Sequence, residues 1–147
     1  MEKRIDEFLK KQTTASICCV DEKNDPYCFS CFYAIDVEKG LLYFKSSSNS
    51  HHASLLQDFV RVSGTIQPDK LNTLLIKGIQ FSGLVLPSEA TPSASTFYHS
   101  RFPMALAMNG RVWSIRLDQV KMTDSTTGFG KKTFWKREPD RVPIANS

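Results

Sequence analysis

At 147 residues the chain has the size of one compact domain, able to bury about two-thirds of the surface its unfolded form exposes, so residues 1–147 are read as a single domain. Apolar residues at 41% and charged residues at 23% exclude a disordered chain, a collagen-like repeat and a disulfide-scaffold peptide. The net charge of +4 from 19 basic and 15 acidic residues is too small to call for a polyanionic partner, and no apolar run approaches the roughly eighteen residues that a membrane-spanning helix needs.

Residues 2–11 set Ile5, Phe8 and Leu9 among charges at i, i+3 and i+4, which predicts a short amphipathic helix. The opening residues have no apolar signal core, so a cytoplasmic protein is expected. Thr13–Val20 and Tyr27–Ile35 are rich in β-branched and aromatic residues, and the polar run from Asp21 to Pro26 between them has hairpin chemistry. Lys39-Gly40 turns the chain into a third strand, Leu41 to Lys45. A serine-rich loop follows, with Ser50 placed to cap a short helix that ends in Leu55-Leu56.

Phe59–Ile66 alternates as a half-buried strand. Thr73–Val85 predicts a long one, with Gly78 and Gly83 marking places where the ribbon bulges or bends. Thr91-Pro92 opens a helix with Ala94, Phe97, Tyr98 and Arg101 on one face, closed by Phe102-Pro103. Trp113, Ile115 and Leu117 alternate in a sixth strand, and a seventh is expected at Lys132–Lys136. The chain is thus α+β dominated by β, with six to seven mostly antiparallel strands and short helices, and closure into a full or half-open barrel protects the strand edges.

Few residues carry recognisable chemistry. Cys28 and Cys31 form a C-x-x-C, but on a strand i and i+3 face opposite sides, so a shared zinc or redox pair is not expected. These two, and Cys18-Cys19, are read as core fillers, and no metal site is assigned. His51 and His52 follow a polar run at a helix start, beside Ser50 and after Lys45. Unpaired amides, a hydroxyl and basic groups there would cradle a phosphate, although the same residues also describe an ordinary solvated loop. His99 stands on the third helix, where a structural role is expected. Five basic residues between Lys131 and Arg141 carry most of the excess charge, so an anionic ligand is sought near them, and nucleic-acid binding through this tail is a lesser reading.

Taken in order, several segments resemble the pyridoxamine 5'-phosphate oxidase-like, FMN-binding split barrels. Leu42-Tyr43-Phe44-Lys45-Ser46 and Ser50 to Leu56 are similar to that family's strand end and S-R-K segment. Ile76 to Val85 is similar to its V-R-I-x-G-x-V strand, and Phe97 to Pro103 to its Y-F-x-S-R-P helix end. The ending Gly128-Phe129-Gly130-Lys131-Lys132 with Trp135 resembles a branch of short bacterial members. The resemblance implies a split β-barrel and a homodimer with two FMN molecules at the subunit interface. Phe44, Lys45, Ser46 and Ser47 would lie along the ribityl chain and ring, with Ser50, His51 and His52 at the phosphate. Lys131, Lys132 and Trp135 would complete the site from the C-terminal segment.

Two departures from the family pattern bear on chemistry. His52 stands where the family has a phosphate-binding lysine, and His51 where it has an arginine, so the phosphate would rest on Lys45, the helix start or a basic residue elsewhere. FMN affinity is accordingly expected to weaken as pH rises from about 6 to 8. The ending Trp135-Lys136-Arg137-Glu138-Pro139 lacks the family's R-L-x-P segment, so oxidation of vitamin B6 is not expected. What remains is a flavoprotein of oxidoreductase type with unknown substrate. The alternative is a non-enzymatic flavin carrier or sensor, or a haem-binding split barrel using a histidine such as His99.

Overall fold

Helix α1 (Lys3–Lys11) forms where the apolar spacing placed it, and Ile5, Phe8 and Leu9 bury its stripe against the sheet. Seven strands follow: β1 (Thr14–Val20), β2 (Pro26–Asp36), β3 (Leu41–Ser46), β4 (Arg61–Ile66), β5 (Lys77–Leu86), β6 (Arg111–Asp124) and β7 (Lys132–Lys136). Helices α2 (His51–Leu55) and α3 (Ala94–Arg101) lie between strands. The structure, a computed structural model, describes residues 1–128 and 130–139. Phe129 and residues 140–147, with Asp140 and Arg141 of the basic segment, lie outside the described residues.

All pairings are antiparallel, in the order β3-β2-β1-β4-β5-β6-β7, and a further β3 to β6 pairing closes six strands into a barrel with β7 added outside. Closure removes the edges of β3 and β6, which would otherwise expose unpaired backbone groups. Ile17, Leu42, Phe44, Ile66, Ile79, Ile115 and Leu117 fill the interior, each at most 2% exposed. Burying one such side chain contributes about 1.5–3 kcal/mol. On the outer face Ala34 and Tyr43 pack beneath Ala94 and Tyr98 of α3 in a second, smaller cluster.

The bend expected in β5 falls at Gly83, where the register with β6 shifts. A Cβ there would stand 2.5 Å from the Arg116 carbonyl oxygen, so only glycine lets the two strands approach. The bend also expected at Gly78 does not form: Gly78 pairs with Thr123 in regular register. β5 begins at Lys77 rather than at Thr73, because the Asn72 side chain accepts from the Leu74 amide and holds residues 72–75 in a turn. β4 likewise begins at Arg61, since Phe59 has φ 65° and is exposed. β6 starts two residues earlier than its Trp113 alternation indicated.

The reading of all four cysteines as core fillers is corrected. Cys19 is buried, and the half-buried Cys31 directs its thiol to the Ala15 carbonyl. Cys28 is exposed and faces the half-buried Cys18 across the β1–β2 ladder. The outer side of a barrel strand is not core, which the residue type alone does not reveal. The divergence of Cys28 from Cys31 holds, since β-strand alternation sends the first outward and the second inward.

Candidate functional site

The site grows from the end of β3. Leu42 and Phe44 anchor that strand in the interior, and Lys45 and Ser46 extend beyond the anchor on alternate faces. The β2–β3 ladder runs only from Asp36↔Leu41 to Tyr33↔Phe44, whereas β2 continues back to Pro26 paired with β1 alone. The barrel wall therefore splits between the outer half of β2 and the end of β3. A cleft of about 490 Å³ opens there.

The apolar part of the cleft lining is formed by Phe29, Phe32, Phe102, Met104 and Met108. The polar part comes from Lys45, Ser46, Ser47, His52 and Asn109. Lys45 Nζ donates to the Ala105 carbonyl at 2.7 Å and lies 3.0 Å from His99 Nε2. His99 Nδ1 is 2.8 Å from the Ser95 carbonyl, an acceptor, so Nδ1 carries the proton and Nε2 receives the lysine. The ammonium is thereby fixed at the cleft rim by α3 and the following turn.

Ser46 Oγ bonds His52 Nε2 and lies 3.3 Å from Ser50 Oγ. Ser50 caps α2 as its residue type predicted: its hydroxyl accepts from the Ala53 amide at 3.3 Å and donates to the Ser47 carbonyl at 2.8 Å. The His52 ring stacks on Phe29 with centroids 4.0 Å apart. Burial, aided by neighbouring His51, holds its imidazole below the ordinary value of 6.5, which favours the neutral form. His51 is exposed and sets its ring edge-on to Tyr27 at 4.7 Å. With five residues, α2 offers little dipole, so the hydroxyls and cations dominate the polar end.

Arg111 was missed at the level of sequence. It pairs directly with Ser46 across the β3–β6 ladder and so projects on the same face. Its guanidinium lies 4.1 Å over the Trp113 ring, and its Nε is buried without a hydrogen-bond partner among the described residues. Stepping the Trp113 alternation back by two reaches it, and that is the signal that could have found it. The turn before it is held by Gly110 at φ 149°, where a Cβ would stand 2.9 Å from the Ser46 carbonyl oxygen.

Phe44, Lys45, Ser46, Ser47, Ser50, His51 and His52 thus gather around the β3 end, though Phe44 is fully buried and serves as the anchor. Lys131, Lys132 and Trp135 do not join them within one chain. β7 pairs with residues 119–123 of β6, whereas the cleft adjoins residues 111–113, and at about 3.3 Å per residue the two ends stand well over 20 Å apart. Trp135 instead lines a wider recess of about 570 Å³ with Gln80, Ser82 and Lys121. That recess contains no histidine, and its lysines come with no hydroxyl cluster other than Ser82, so the chemistry favours the smaller cleft. Arg137 of the basic segment caps the Leu117, Lys39 and Gly40 carbonyls.

No family model matches the chain. It is 36% identical over 135 residues to the UPF0306 protein YhbP of Escherichia fergusonii, covering 90% of this chain and 91% of that one. A UPF0306 protein of Enterobacter sp. strain 638 is 38% identical, with 90% and 94% covered. Among solved structures, a heme binding protein from Mycobacterium smegmatis superposes with a TM-score of 0.67 at 12% identity, over 88% of this chain and 55% of that one, so the present chain spans about half its length. A FAD-binding protein from Mesorhizobium loti superposes with a TM-score of 0.58 at 15% identity, over 82% and 81%. At such identities the likeness is one of fold. No helix among the described residues is long and apolar enough to cross a membrane.

Proposed function

The chain belongs to the UPF0306 family, and we propose that it is a split-barrel flavoprotein that binds FMN in the cleft at the end of β3. The observation that carries this reading is the cleft's mixed lining, aromatic and thioether groups together with Lys45, Ser46, Ser47 and His52, beside which Arg111 pairs with Ser46 and keeps a buried Nε without a partner among the described residues. A planar ring fits against Phe32, Phe102, Met104 and Met108, and a phosphate fits at Ser46, Ser47 and His52, with Arg111 next to Ser46 in the β3–β6 ladder as a cation just outside the cleft lining. An unpaired buried donor costs about 1–3 kcal/mol, so Arg111 stands to gain from an anion that draws its guanidinium toward the neighbouring Ser46.

A mononucleotide suits the size. The volume of about 490 Å³ falls in the lower part of the roughly 300–1,000 Å³ range of small-ligand sites, and there is one cation and hydroxyl cluster for one phosphate. When bound, flavin supplies hydride or single-electron transfer. The residues of this chain bind and orient it: Lys45, held by Ala105 and His99, presents a fixed positive charge, and neutral His52 offers a hydrogen bond rather than a charge. An oxidoreductase of unassigned substrate is the reading that follows.

The same proposal includes a homodimer. Phe32, Met104, Leu106 and Met108 are 59–86% exposed around the cleft mouth, an apolar rim suited to a second copy that would also bring a distant segment such as Lys131 to Trp135 to the ligand. Haem is the less favoured ligand because both nitrogens of His99 are engaged, Nε2 by Lys45 and Nδ1 by Ser95.

The test is to add FMN to purified protein, follow quenching of its fluorescence, and identify any cofactor released by boiling. Saturable binding with one FMN per chain supports the reading. A Soret band with no flavin, or an apo protein that refuses FMN, overturns it. Bound flavin that NAD(P)H does not bleach would identify a carrier or sensor in place of an oxidoreductase.

A further inference from the structure

We propose that Cys18 and Cys28 are a redox modification site, a cross-strand dithiol on the outer face of the barrel that converts reversibly to a disulfide by exchange with a low-molecular-weight disulfide. Cys18 and Cys28 are direct partners in the antiparallel β1–β2 ladder, and their Sγ atoms lie 2.7 Å apart. Residues directly opposite one another in such a ladder have Cα atoms about 4.5–5.5 Å apart, inside the span a disulfide bridges. The bond can therefore form with no change of register.

The pair is also distinguished from the other two cysteines. Cys19 points into the core, and Cys31 directs its thiol to the Ala15 carbonyl on the inner face, where burial pushes it up to about 12. Among the described residues no group of three or more His, Cys, Asp or Glu that could hold a metal ion includes the two outer thiols. Cys28 is exposed and Cys18 only half-buried, which fixes the order of events. The hydrogen bond with Cys28 is the main cause that pushes Cys18 up to about 11. Cys18 thus keeps its proton while the accessible Cys28 reacts first.

The step balances as an exchange. The Cys28 thiolate attacks one sulfur of the small disulfide, forming a mixed disulfide and expelling one thiolate. Cys18, losing its proton to solvent, then attacks Cys28 Sγ and expels the second. Two protein thiols are oxidised and one disulfide is reduced to two thiols. The site adjoins the cleft's polar end through its neighbours: Tyr27 and Phe29 flank Cys28 and hold the rings of His51 and His52. Oxidation ties the strand carrying those two aromatics to β1.

The inference does not depend on flavin binding, and neither does its test. The reduced full-length protein is equilibrated in mixtures of reduced and oxidised glutathione, quenched by alkylation, unfolded, and examined by intact mass. Two of the four thiols should be lost within a single chain and recovered with dithiothreitol. Cys18 and Cys19 share one tryptic peptide, Gln12–Lys23, and Cys28 and Cys31 share another, Asn24–Lys39, so variants assign the link. Cys19→Ser and Cys31→Ser should keep it, and Cys28→Ser should lose it. Four alkylatable thiols at every ratio, a link between two copies, or a stable glutathione adduct on Cys28 would each overturn the proposal. The wild-type measurement decides even if a variant fails to fold.

Discussion

Replacing Arg111 by Met separates a ligand-binding arginine from a structural one, because the two roles move stability and affinity differently. In the free protein the guanidinium lies 4.1 Å over Trp113, and its Nε is buried without a partner among the described residues. Met keeps an apolar stem over the indole but removes the cation–π contact, a loss of about 0.5–2 kcal/mol. It also removes the unsatisfied donor, a gain of about 1–3 kcal/mol. The two nearly cancel, and the urea midpoint of the apo protein should stay or rise slightly. FMN, by contrast, loses a charge-assisted hydrogen bond to its phosphate worth about 1.5–3 kcal/mol, so its dissociation constant should rise about 10- to 150-fold. Urea melts of the apo protein and FMN fluorescence titrations measure both. A variant that unfolds more than about 2 kcal/mol sooner, yet binds FMN as the wild type does, would show Arg111 to be structural and refute the reasoning.

Three other outcomes follow from the same geometry. His52 is held below 6.5 in the folded state, so the unfolded chain takes up that proton first; the contribution is present above 6.5 and lost as pH falls through the folded value, and H52N should flatten this part of a stability-versus-pH curve measured by urea melts. Asp124 is buried, paired with Arg4 at 2.7 Å and bonded by the Thr126 amide at 2.9 Å; D124N should lower unfolding free energy by about 2 kcal/mol, less than a fully buried pair because Arg4 is partly exposed. Although burial opposes it, the Thr126, Lys77 and Arg4 interactions hold the Asp124 carboxyl below 3.8, so its contribution stands above that pH and is lost only as the pH falls further. At Gly110, a Cβ would meet the Ser46 carbonyl oxygen at φ 149°; G110A should cost about 1–3 kcal/mol in denaturant melts and weaken FMN binding by displacing Ser46 and Arg111 together.

The fold was largely legible because its signals are local. The α1 stripe, the hairpin chemistry of 21–26, the Ser50 cap and the bend at Gly83 each depend on a few adjacent residues, and each appears. Boundaries failed where a side chain took over backbone hydrogen bonding. Asn72 competes for the Leu74 amide and delays β5, while the left-handed Phe59 delays β4. Barrel closure could be expected from the number of edges, but the β3 to β6 pairing that performs it joins residues about seventy positions apart, and no periodicity encodes that register.

The site was legible on one strand and illegible on the other for that same reason. Lys45 to His52 are consecutive, so their chemistry could be read as a group, and the structure does assemble them. Arg111 and Gly110 enter only through the β3–β6 register, and Phe102, Met104 and Met108 only through the placement of α3 and the turn after it. The charge run from Lys131 drew attention instead, yet Arg137 is committed to three backbone carbonyls, and Lys131 and Lys132 lie at the far end of β6. Net charge locates basic residues in sequence, whereas a phosphate responds to the few that are desolvated and unpaired. An arginine with a buried Nε that has no partner among the described residues, paired with Ser46, is therefore a stronger anion signal than a run of basic residues in the sequence, and the R111M measurement tests it directly.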